Sequence, residues 1–372
     1  MPASLDTSGL DPHRYFNAAE LARTNRFERF LRIDWLLSVL AALAALAVMA
    51  HRAPRIARGI GIGRIGKGLI LGMVTLTVLW FVGLPFALAG WWWERRHGLV
   101  SGSFWEVLAP QLPALATQAV FACLSFLIVL AVAGWFPRRW WIPAAAAFTG
   151  LALFFSFVTP YIDRLGTHPL HSPALKAEAA ELERQEGVTG TPIRVEDVSS
   201  YTTEVNAESE GIGPSRQVVL WDTLLDGRFT RPEVAVVMAH ELGHTARRHI
   251  WKGVAWFGLF ALPGTFLIAV ATRRRGGVRD PGLLPLGLMV LVVLTLVSQP
   301  ITNVISRRYE AEADWIALQT TRDPEAARSL FKGFSKTSLE QPRPPLWDYL
   351  LLETHPTIAQ RIQLVNAWEA RR

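Results

Sequence analysis

Long apolar runs alternate with polar segments along the sequence, and this pattern predicts the architecture. A helix needs roughly 17–25 apolar residues to cross the hydrocarbon core of a bilayer. Six runs have about this length, and their central parts carry no Asp, Glu, Lys or Arg. So many runs favour a polytopic membrane protein over the buried helices of a soluble protein. The runs cover residues 33–50, 69–90, 112–136, 141–159, 254–272 and 283–305.

Two polar segments follow apolar runs, and we expect them to pack together on one side of the membrane. Four runs precede the first segment and two separate it from the second, so the chain returns to the same side. The residues before the first run are polar and predict a tail, not a cleavable signal peptide. The predicted divisions are a polar tail (1–32), four spans (33–159), a polar domain (160–252), two further spans (253–305) and the C-terminal part of the polar domain (306–372).

The polar segment 160–252 carries both helix and strand signals, so it predicts a small α/β domain. Thr230 and Glu233 form a capping box, and the apolar residues after it place the next turns on a helix. The predicted fold class is mainly α: a polytopic bundle of about six spanning helices with one small α/β domain. The other expected elements are a helix from Ser172 to Gly187 and strands at 193–198 and 217–225.

The helix after this cap contains the motif His240-Glu-Leu-Gly-His244. Positions i and i+4 share one helix face, so both imidazoles can bind the same metal ion. Two neutral imidazoles suit Zn²⁺, which in catalytic sites takes three protein ligands and keeps one position for water. Glu241 lies beside that position and can take a proton from the water, whose pKa the zinc lowers to about 7. The alternative is a pair of exposed histidines held by hydrogen bonds, which the helical context disfavours.

A third ligand has to come from another segment, and the residues after the last apolar run offer one. Glu310 and Asp314 are again four residues apart, so a continuing helix places them on one face. One carboxylate can bind zinc while the other accepts the free ring N–H of a ligating histidine. Glu312 falls on another face and is typical of an ordinary charged helix end. The spacing alone leaves open whether Glu310 is a ligand.

Several short motifs along the sequence form a set that is typical of one family. They are His240-Glu-Leu-Gly-His244 with His249, Ser306-Arg-Arg-Tyr-Glu310 with Asp314, Asn206-Ala207, His355-Pro356 with Arg361, and Glu94-Arg-Arg-His97-Gly98. Together they resemble the type I CAAX prenyl proteases, the sterile-24 class of membrane zinc metalloproteases, which are related to the HtpX heat-shock proteases. The resemblance extends from about residue 15 to the C-terminus. One departure is Glu208, which stands where the family often has tyrosine.

The resemblance implies an architecture and roles for residues outside the His240–His244 motif. It implies a barrel of helices around a large intramembrane chamber, which a zincin-like zinc domain caps on the cytosolic side. Glu310 would be the third zinc ligand of that domain. Of the remaining residues, Asp314 and His249 would support the ligating histidines, Asn206 would bind the substrate backbone, and His355 and Arg361 would support the oxyanion.

The sequence therefore predicts a zinc metalloendopeptidase with one zinc ion per chain. It would hydrolyse peptide bonds of membrane-associated or lipidated proteins and peptides, with Glu241 as the general base on zinc-bound water. The alternative is a membrane transporter or scaffold that keeps zinc for structure only. A structural site fills its fourth position with a protein ligand and has no need of Glu241, so the intact Glu241 favours the enzyme.

The predicted partners are protein or peptide substrates, including lipid-anchored ones, and membrane lipids. The formal net charge of +7 is spread over loops beside the apolar runs, which indicates contact with lipid headgroups and no nucleic-acid interface. The alanine- and arginine-rich composition is typical of a bacterial protein, so we expect a multi-pass protein of a bacterial cell membrane. That the zinc domain faces the cytoplasm follows from the resemblance only.

Overall fold

The computed structural model describes residues 11–371 and consists mainly of helices. The first ten residues of the predicted polar tail and Arg372 of the predicted C-terminal segment lie outside the described residues. The strands are β1 (Thr167–Pro169), β2 (Ile193–Glu196), β3 (Ala207–Glu210) and β4 (Gln217–Trp221). The helices are α1 (Ala18–Gly59), α2 (Arg64–His97), α3 (Phe104–Leu108), α4 (Leu112–Trp135), α5 (Trp141–Asp163), α6 (Pro173–Glu186), α7 (Arg231–Ala246), α8 (His249–Arg273), α9 (Leu284–Thr321), α10 (Pro324–Thr337), α11 (Leu346–Leu351) and α12 (Ile358–Glu369).

Six helical stretches within residues 11–371 are long and apolar enough to cross a membrane, as the apolar runs predict. Their most apolar windows have mean hydropathies between 1.8 and 2.4, and only 6% to 39% of each window is buried inside the protein. Large apolar side chains such as Leu40, Phe81 and Val297 are therefore exposed. An apolar surface of this extent fits a lipid environment. The stretches are α1, α2, α3 joined to α4, α5, α8, and α9 with the turn before it.

Helix α9 connects the membrane region to the polar domain without a break. It has 38 residues, begins in the last apolar run and ends at Thr321. Ile305 closes the apolar run, and Glu310 follows five residues later on the same helix. At 1.5 Å per residue, that carboxylate lies about 8 Å beyond the apolar run. The acidic residues of α9 are therefore held at a constant distance from the membrane.

The small sheet has the strand order β1-β2-β4-β3. Strands β2 and β4 run parallel, with Val195 opposite Leu220, while β1 and β3 pair antiparallel at the two edges. Alternating residues indicated β2 and β4 in the sequence, whereas the short edge strands lack such a signal. A hydrogen bond of 2.9 Å between the hydroxyls of Ser209 and Thr245 ties the edge strand β3 to helix α7.

Helix α7 is the centre of the polar domain, because every residue from Glu233 to Gly243 is buried. The Glu233 carboxylate accepts hydrogen bonds from the backbone N–H and the hydroxyl of Thr230, at 2.6 and 2.8 Å, which fixes the helix start. Residues such as Met238 and Leu220 belong to one core formed by α7, the sheet, α9, α10 and α12. A helix packed on all sides cannot rotate, so the packing determines where its histidines point.

Candidate metal centre

Two histidines of helix α7 and one glutamate of helix α9 meet in a group that can hold a metal ion. His240 Nε2 lies 3.1 Å from His244 Nε2 and 3.2 Å from Glu310 Oε2. His244 Nε2 lies 3.5 Å from Glu310 Oε1, and the three ligand atoms lie within 4.8 Å of one another. A tetrahedral ion with bonds of about 2.0–2.1 Å separates its ligand atoms by roughly 3.3 Å. The donor set and its spacing therefore fit a metal ion of the size of zinc.

Close contact between α7 and α9 brings Glu310 within reach of the histidines. A Cβ atom added to Gly243 would lie 3.4 Å from Ile316 Cγ2 and 3.6 Å from the Cα atom of Ala313. Even a methyl group at position 243 would thus be in full van der Waals contact. A larger residue there would push the helices apart and move Glu310 away from His240.

His240 is oriented by a buried carboxylate. Its Nδ1 lies 2.8 Å from Asp314 Oδ1, so the ring donates its Nδ1–H to Asp314 and leaves Nε2 free for the metal. Arg361 of α12 donates two hydrogen bonds to the same carboxylate, from Nε at 2.9 Å and from a terminal nitrogen at 2.6 Å. The guanidinium also lies 4.2 Å above the ring of Phe331. Because Asp314 is only 2% exposed, this pairing supplies the partner that a buried anion needs.

His244 is oriented by a second histidine. Its Nδ1 lies 3.0 Å from Nδ1 of His249, the first residue of α8. His249 Nε2 lies 3.2 Å from Glu312 Oε2, so a carboxylate stands at the far end of this chain of contacts. The His249 ring is buried and stacks on Tyr309, with ring centroids 4.5 Å apart. His240 and His244 therefore have different supports.

The electrostatic setting favours a positive charge at the ligand group. Burial opposes an imidazolium at His240, yet hydrogen bonds to the carboxylates of Asp314 and Glu310 raise its pKa to about 10. A site that stabilises a cation so strongly is suited to a metal ion. Burial also raises the pKa of Glu241, while the field of His240 and His244 lowers it in part. Glu241 is thus a buried carboxylate with enhanced basicity beside the ligands and outside the ligand group.

The other residues singled out in the sequence fall at different distances from the ligands. His355 lies in the loop before α12, with Nε2 3.2 Å from Glu310 Oε2 and a side chain that is 55% exposed. Arg361 lies one layer further out, on Asp314. Asn206 is exposed at the start of the edge strand β3, and its carbonyl accepts a hydrogen bond of 3.0 Å from the Trp221 N–H. The structure therefore brings His355 to the ligands, Arg361 to their support and Asn206 to the neighbouring strand.

Two further features beside the candidate ligands, a contact and a cavity, could hardly be predicted from the sequence. The Glu312 contact with His249 depends on a chain reversal between α7 and α8, where Arg248 has a left-handed backbone (φ 56°). A cavity of about 730 Å³ opens beside His244, and Glu186 at the end of α6 lines it. Burial raises the pKa of Glu186 to about 8, against opposing contributions from Thr320 and His240. In the sequence, only the family resemblance pointed to His249, and nothing pointed to Glu312 or to the cavity.

Comparison with known proteins finds similar sequences. The sequence model described as peptidase family M48 matches residues 169–369. The uncharacterized metalloprotease YhfN of Bacillus subtilis is 30% identical over 239 residues, which cover 61% of this chain and 56% of that protein. The CAAX prenyl protease 1 homolog of Caenorhabditis elegans is 25% identical over 293 residues, which cover 68% of this chain and 65% of that protein. The chain thus spans less than two thirds of the length of these curated relatives.

A solved structure has the same fold. The crystal structure of S. mikatae Ste24p superposes with a TM-score of 0.77 at 20% sequence identity, and the match covers 95% of this chain and 90% of that one. At this identity the likeness concerns the fold alone. Together with the six apolar helices, it confirms the predicted fold class, a membrane helical bundle with a small α/β domain, and it indicates a multi-pass membrane protein.

Proposed function

The chain belongs to peptidase family M48, and we propose that it is an integral membrane zinc metalloendopeptidase. The resemblance to type I CAAX prenyl proteases found in the sequence is thereby confirmed. One observation carries the proposal: His240, His244 and Glu310 converge while the buried Glu241 stands beside them. A ligand set of two imidazoles and one carboxylate is typical of catalytic zinc and suits a single ion per chain. The metal would supply Lewis-acid activation of water and of the substrate carbonyl.

Glu241 would move the proton during hydrolysis. Its carboxylate takes a proton from the attacking water as the oxygen–carbon bond forms at the scissile carbonyl. It then delivers that proton to the amide nitrogen as the carbon–nitrogen bond breaks. Because burial raises its pKa, Glu241 is a stronger base than an exposed glutamate and a competent acid in the second step. A positioned general base contributes roughly 10²–10⁴ in rate.

His355 and Arg361 would contribute in different ways to the transition state. His355 is the better candidate for a direct donor to the former carbonyl oxygen, because its half-exposed ring reaches the ligand group at Glu310. Arg361 donates from Nε and from one terminal nitrogen to the two oxygens of Asp314, so one edge of its guanidinium is committed to that carboxylate. We therefore assign to Arg361 the support of Asp314, and through it of His240, in preference to contact with the oxyanion.

An extended peptide would bind along strand β3. This strand pairs with β4 on one side only, and Asn206 stands exposed at its start. Edge strands accept peptides by backbone hydrogen bonding, with alternate side chains pointing into pockets. The Ser209–Thr245 bond keeps this edge beside helix α7. The cavity beside His244 would receive part of the same peptide.

The membrane helices favour substrates that are themselves membrane-bound. Glu310 lies about 8 Å beyond the apolar run of α9, and α8 begins at His249, five residues after His244. A protein or peptide anchored by a lipid or a helix could therefore reach the metal without leaving the bilayer. We propose proteins and peptides of this kind as substrates, membrane lipids as further partners, and a bacterial cell membrane with the zinc domain in the cytoplasm as the location.

The decisive experiment compares the purified full chain with its Glu241→Gln variant. We expect the variant to keep one zinc per chain and to lose peptide hydrolysis by about 10²–10⁴. Glu181→Gln is a matched control, because Glu181 is a surface residue paired with Arg184 and should behave as wild type. Wild-type turnover by a zinc-loaded Glu241→Gln variant would exclude the proposed mechanism.

A paired-substrate assay tests the membrane part of the proposal. The same peptide is offered free in solution and coupled to a lipid in vesicles that contain the protein, and we expect faster cleavage of the tethered form. Equal rates would remove the argument for membrane-bound substrates and leave the peptidase activity untouched. The alternative of a transporter or scaffold with structural zinc requires a fourth protein ligand, and the ligand group found within residues 11–371 has three.

A further inference from the structure

His240 faces a carboxylate, whereas His244 faces another imidazole. The support of His244 therefore depends on which ring nitrogens carry protons. His244 Nε2 faces His240 Nε2 at 3.1 Å and Glu310 Oε1 at 3.5 Å, so this nitrogen must offer its lone pair to the metal. A neutral imidazole with a free Nε2 carries its proton on Nδ1. That Nδ1–H needs an acceptor, and Nδ1 of His249 lies 3.0 Å away. His244 is therefore held correctly only if His249 accepts.

His249 can accept only in one of its two neutral tautomers. Two facing nitrogens cannot both carry protons, so His249 must keep Nδ1 bare and hold its proton on Nε2. Glu312 Oε2 lies 3.2 Å from that Nε2. An ionised carboxylate accepts hydrogen bonds and cannot donate them, so its presence selects the tautomer with the proton on Nε2.

We propose that Glu312 and His249 form a relay that fixes the tautomer and orientation of His244 and thereby sets the metal affinity of the site. In this relay His244 Nδ1–H donates to His249 Nδ1, and His249 Nε2–H donates to the Glu312 carboxylate. Both are positioning residues, and neither touches the metal. The inference rests on the metal site of the proposed function and is independent of the hydrolytic step.

The local fold holds the His249 ring in place for this role. Helix α7 ends at Ala246, and the left-handed Arg248 turns the chain so that α8 begins with His249 against His244. A left-handed residue other than glycine is sterically strained, so the surrounding packing has to maintain it. On its other face His249 stacks on Tyr309, whose hydroxyl accepts a hydrogen bond of 2.9 Å from Trp256 Nε1.

The carboxylate of Glu312 is held by cations as well as by the ring. Arg247 Nε lies 3.2 Å from Glu312 Oε1, and Lys252 Nζ lies 3.9 Å from Glu312 Oε2. The Glu312 side chain is 31% exposed, so its charge remains in contact with water. These two surface cations hold the Glu312 carboxylate in place, turned towards His249.

The test is the zinc affinity of the full chain, measured by competition with a chelator. His249→Phe keeps a ring to stack on Tyr309 but removes the acceptor, and we expect affinity to fall about 10–100-fold. Glu312→Ala should fall towards the lower end of that range, about tenfold. Glu312→Gln should stay near wild type, because the amide oxygen can still accept from His249 Nε2. Glu181→Ala is the matched control: it breaks an exposed pair with Arg184 away from the relay and should have little effect.

Each outcome decides for or against the relay. Wild-type affinity in Glu312→Ala and His249→Phe would overturn it. Equal losses in Glu312→Gln and Glu312→Ala would also overturn it, because charge and not hydrogen-bond acceptance would then matter. If His249→Phe folds poorly, the two Glu312 variants still test the relay through the absorption spectrum of the cobalt-substituted protein. The relay predicts altered ligand-field bands in Glu312→Ala and unaltered bands in Glu312→Gln. Other results would contradict the proposed function itself: retention of zinc by His244→Ala, or retention of hydrolysis by Glu241→Gln.

Discussion

Two arms of hydrogen bonds hold His240 and His244, and the arms differ in where their charged groups lie. The Asp314 arm runs from His240 through Asp314 to Arg361, and the Asp314 and Arg361 side chains are only 2% and 12% exposed. The His249 arm runs from His244 through His249 to Glu312, and its last carboxylate is 31% exposed beside Arg247 and Lys252. Both arms accept the Nδ1–H of a ligand. Only the first arm has an anion in the protein interior.

This difference has a physical reason. A buried carboxylate is tolerated only with a charged partner, so the Asp314 arm requires Arg361 and becomes part of the core. A neutral imidazole needs no opposite charge beside it in the interior, so the charged group of the His249 arm can lie at the surface. We therefore expect the Asp314 arm to carry folding stability as well as metal binding. The His249 arm should affect metal binding with little effect on stability.

The largest expected effect is that of Asp314→Ala. The substitution leaves the Arg361 guanidinium without its carboxylate in the interior, and the free energy of unfolding should fall by about 3–5 kcal/mol, with metal content lost as well. Denaturant unfolding and elemental analysis of the purified protein measure both quantities. Asp226→Ala, which breaks an exposed pair with Arg228, is the control and should cost at most about 1 kcal/mol. Similar losses in the two variants would contradict the distinction between buried and exposed pairs.

His355→Ala tests whether the two arms are sufficient to maintain zinc binding. His355 belongs to neither arm, so zinc content and melting temperature should stay as in wild type. If its ring donates to the developing oxyanion, kcat should fall by the equivalent of about 2.7–4 kcal/mol while KM changes little. Steady-state kinetics and zinc analysis on one preparation provide the answer. Loss of zinc in this variant would make His355 a ligand or a third support and would end the oxyanion assignment.

Arg361→Ala separates support of Asp314 from contact with the substrate. Support predicts that zinc affinity falls by about tenfold or more and that the protein is destabilised. Direct contact with the oxyanion predicts a lower kcat at unchanged zinc affinity. Chelator competition and steady-state kinetics distinguish the two results. Arg184→Ala, which removes an exposed pair with Glu181, controls for the loss of an arginine.

The smallest expected effect is the salt dependence of the two ion pairs. A double-mutant cycle on Arg247 and Glu312 should give a coupling free energy below about 1 kcal/mol in dilute buffer, which vanishes in 1 M salt. The corresponding cycle on Arg361 and Asp314 should give a larger value that salt does not change, because solvent ions cannot reach the pair. Unfolding measured at two salt concentrations provides both values. Equal salt sensitivity of the two cycles would remove the basis of the comparison.

The spacing of residues in the sequence predicted which candidate ligands share a helix face, because a helix repeats every 3.6 residues wherever it lies. The choice of Glu310 as the third ligand came from the family resemblance and stays a prediction. His240 and His244, and then Glu310 and Asp314, had to share helix faces once both segments were helical. Six apolar runs predicted the spans by length alone. The same reasoning treated Glu312 as an ordinary charged residue, because it considered only the helix on which Glu312 lies.

Contacts between distant segments were decided by the tertiary structure alone. Arg361 and Asp314 are 47 positions apart in the sequence, Glu312 and His249 are 63 apart, and no local period relates such residues. The chain reversal at Arg248 turns His249 towards His244, and the packing of α12 onto α9 turns Arg361 towards Asp314. Local hydrogen bonding and side-chain periodicity thus determined the elements and which candidate ligands share a helix face. The way in which those elements pack determined which neighbours hold the ligands and whether their charge is buried or exposed to water.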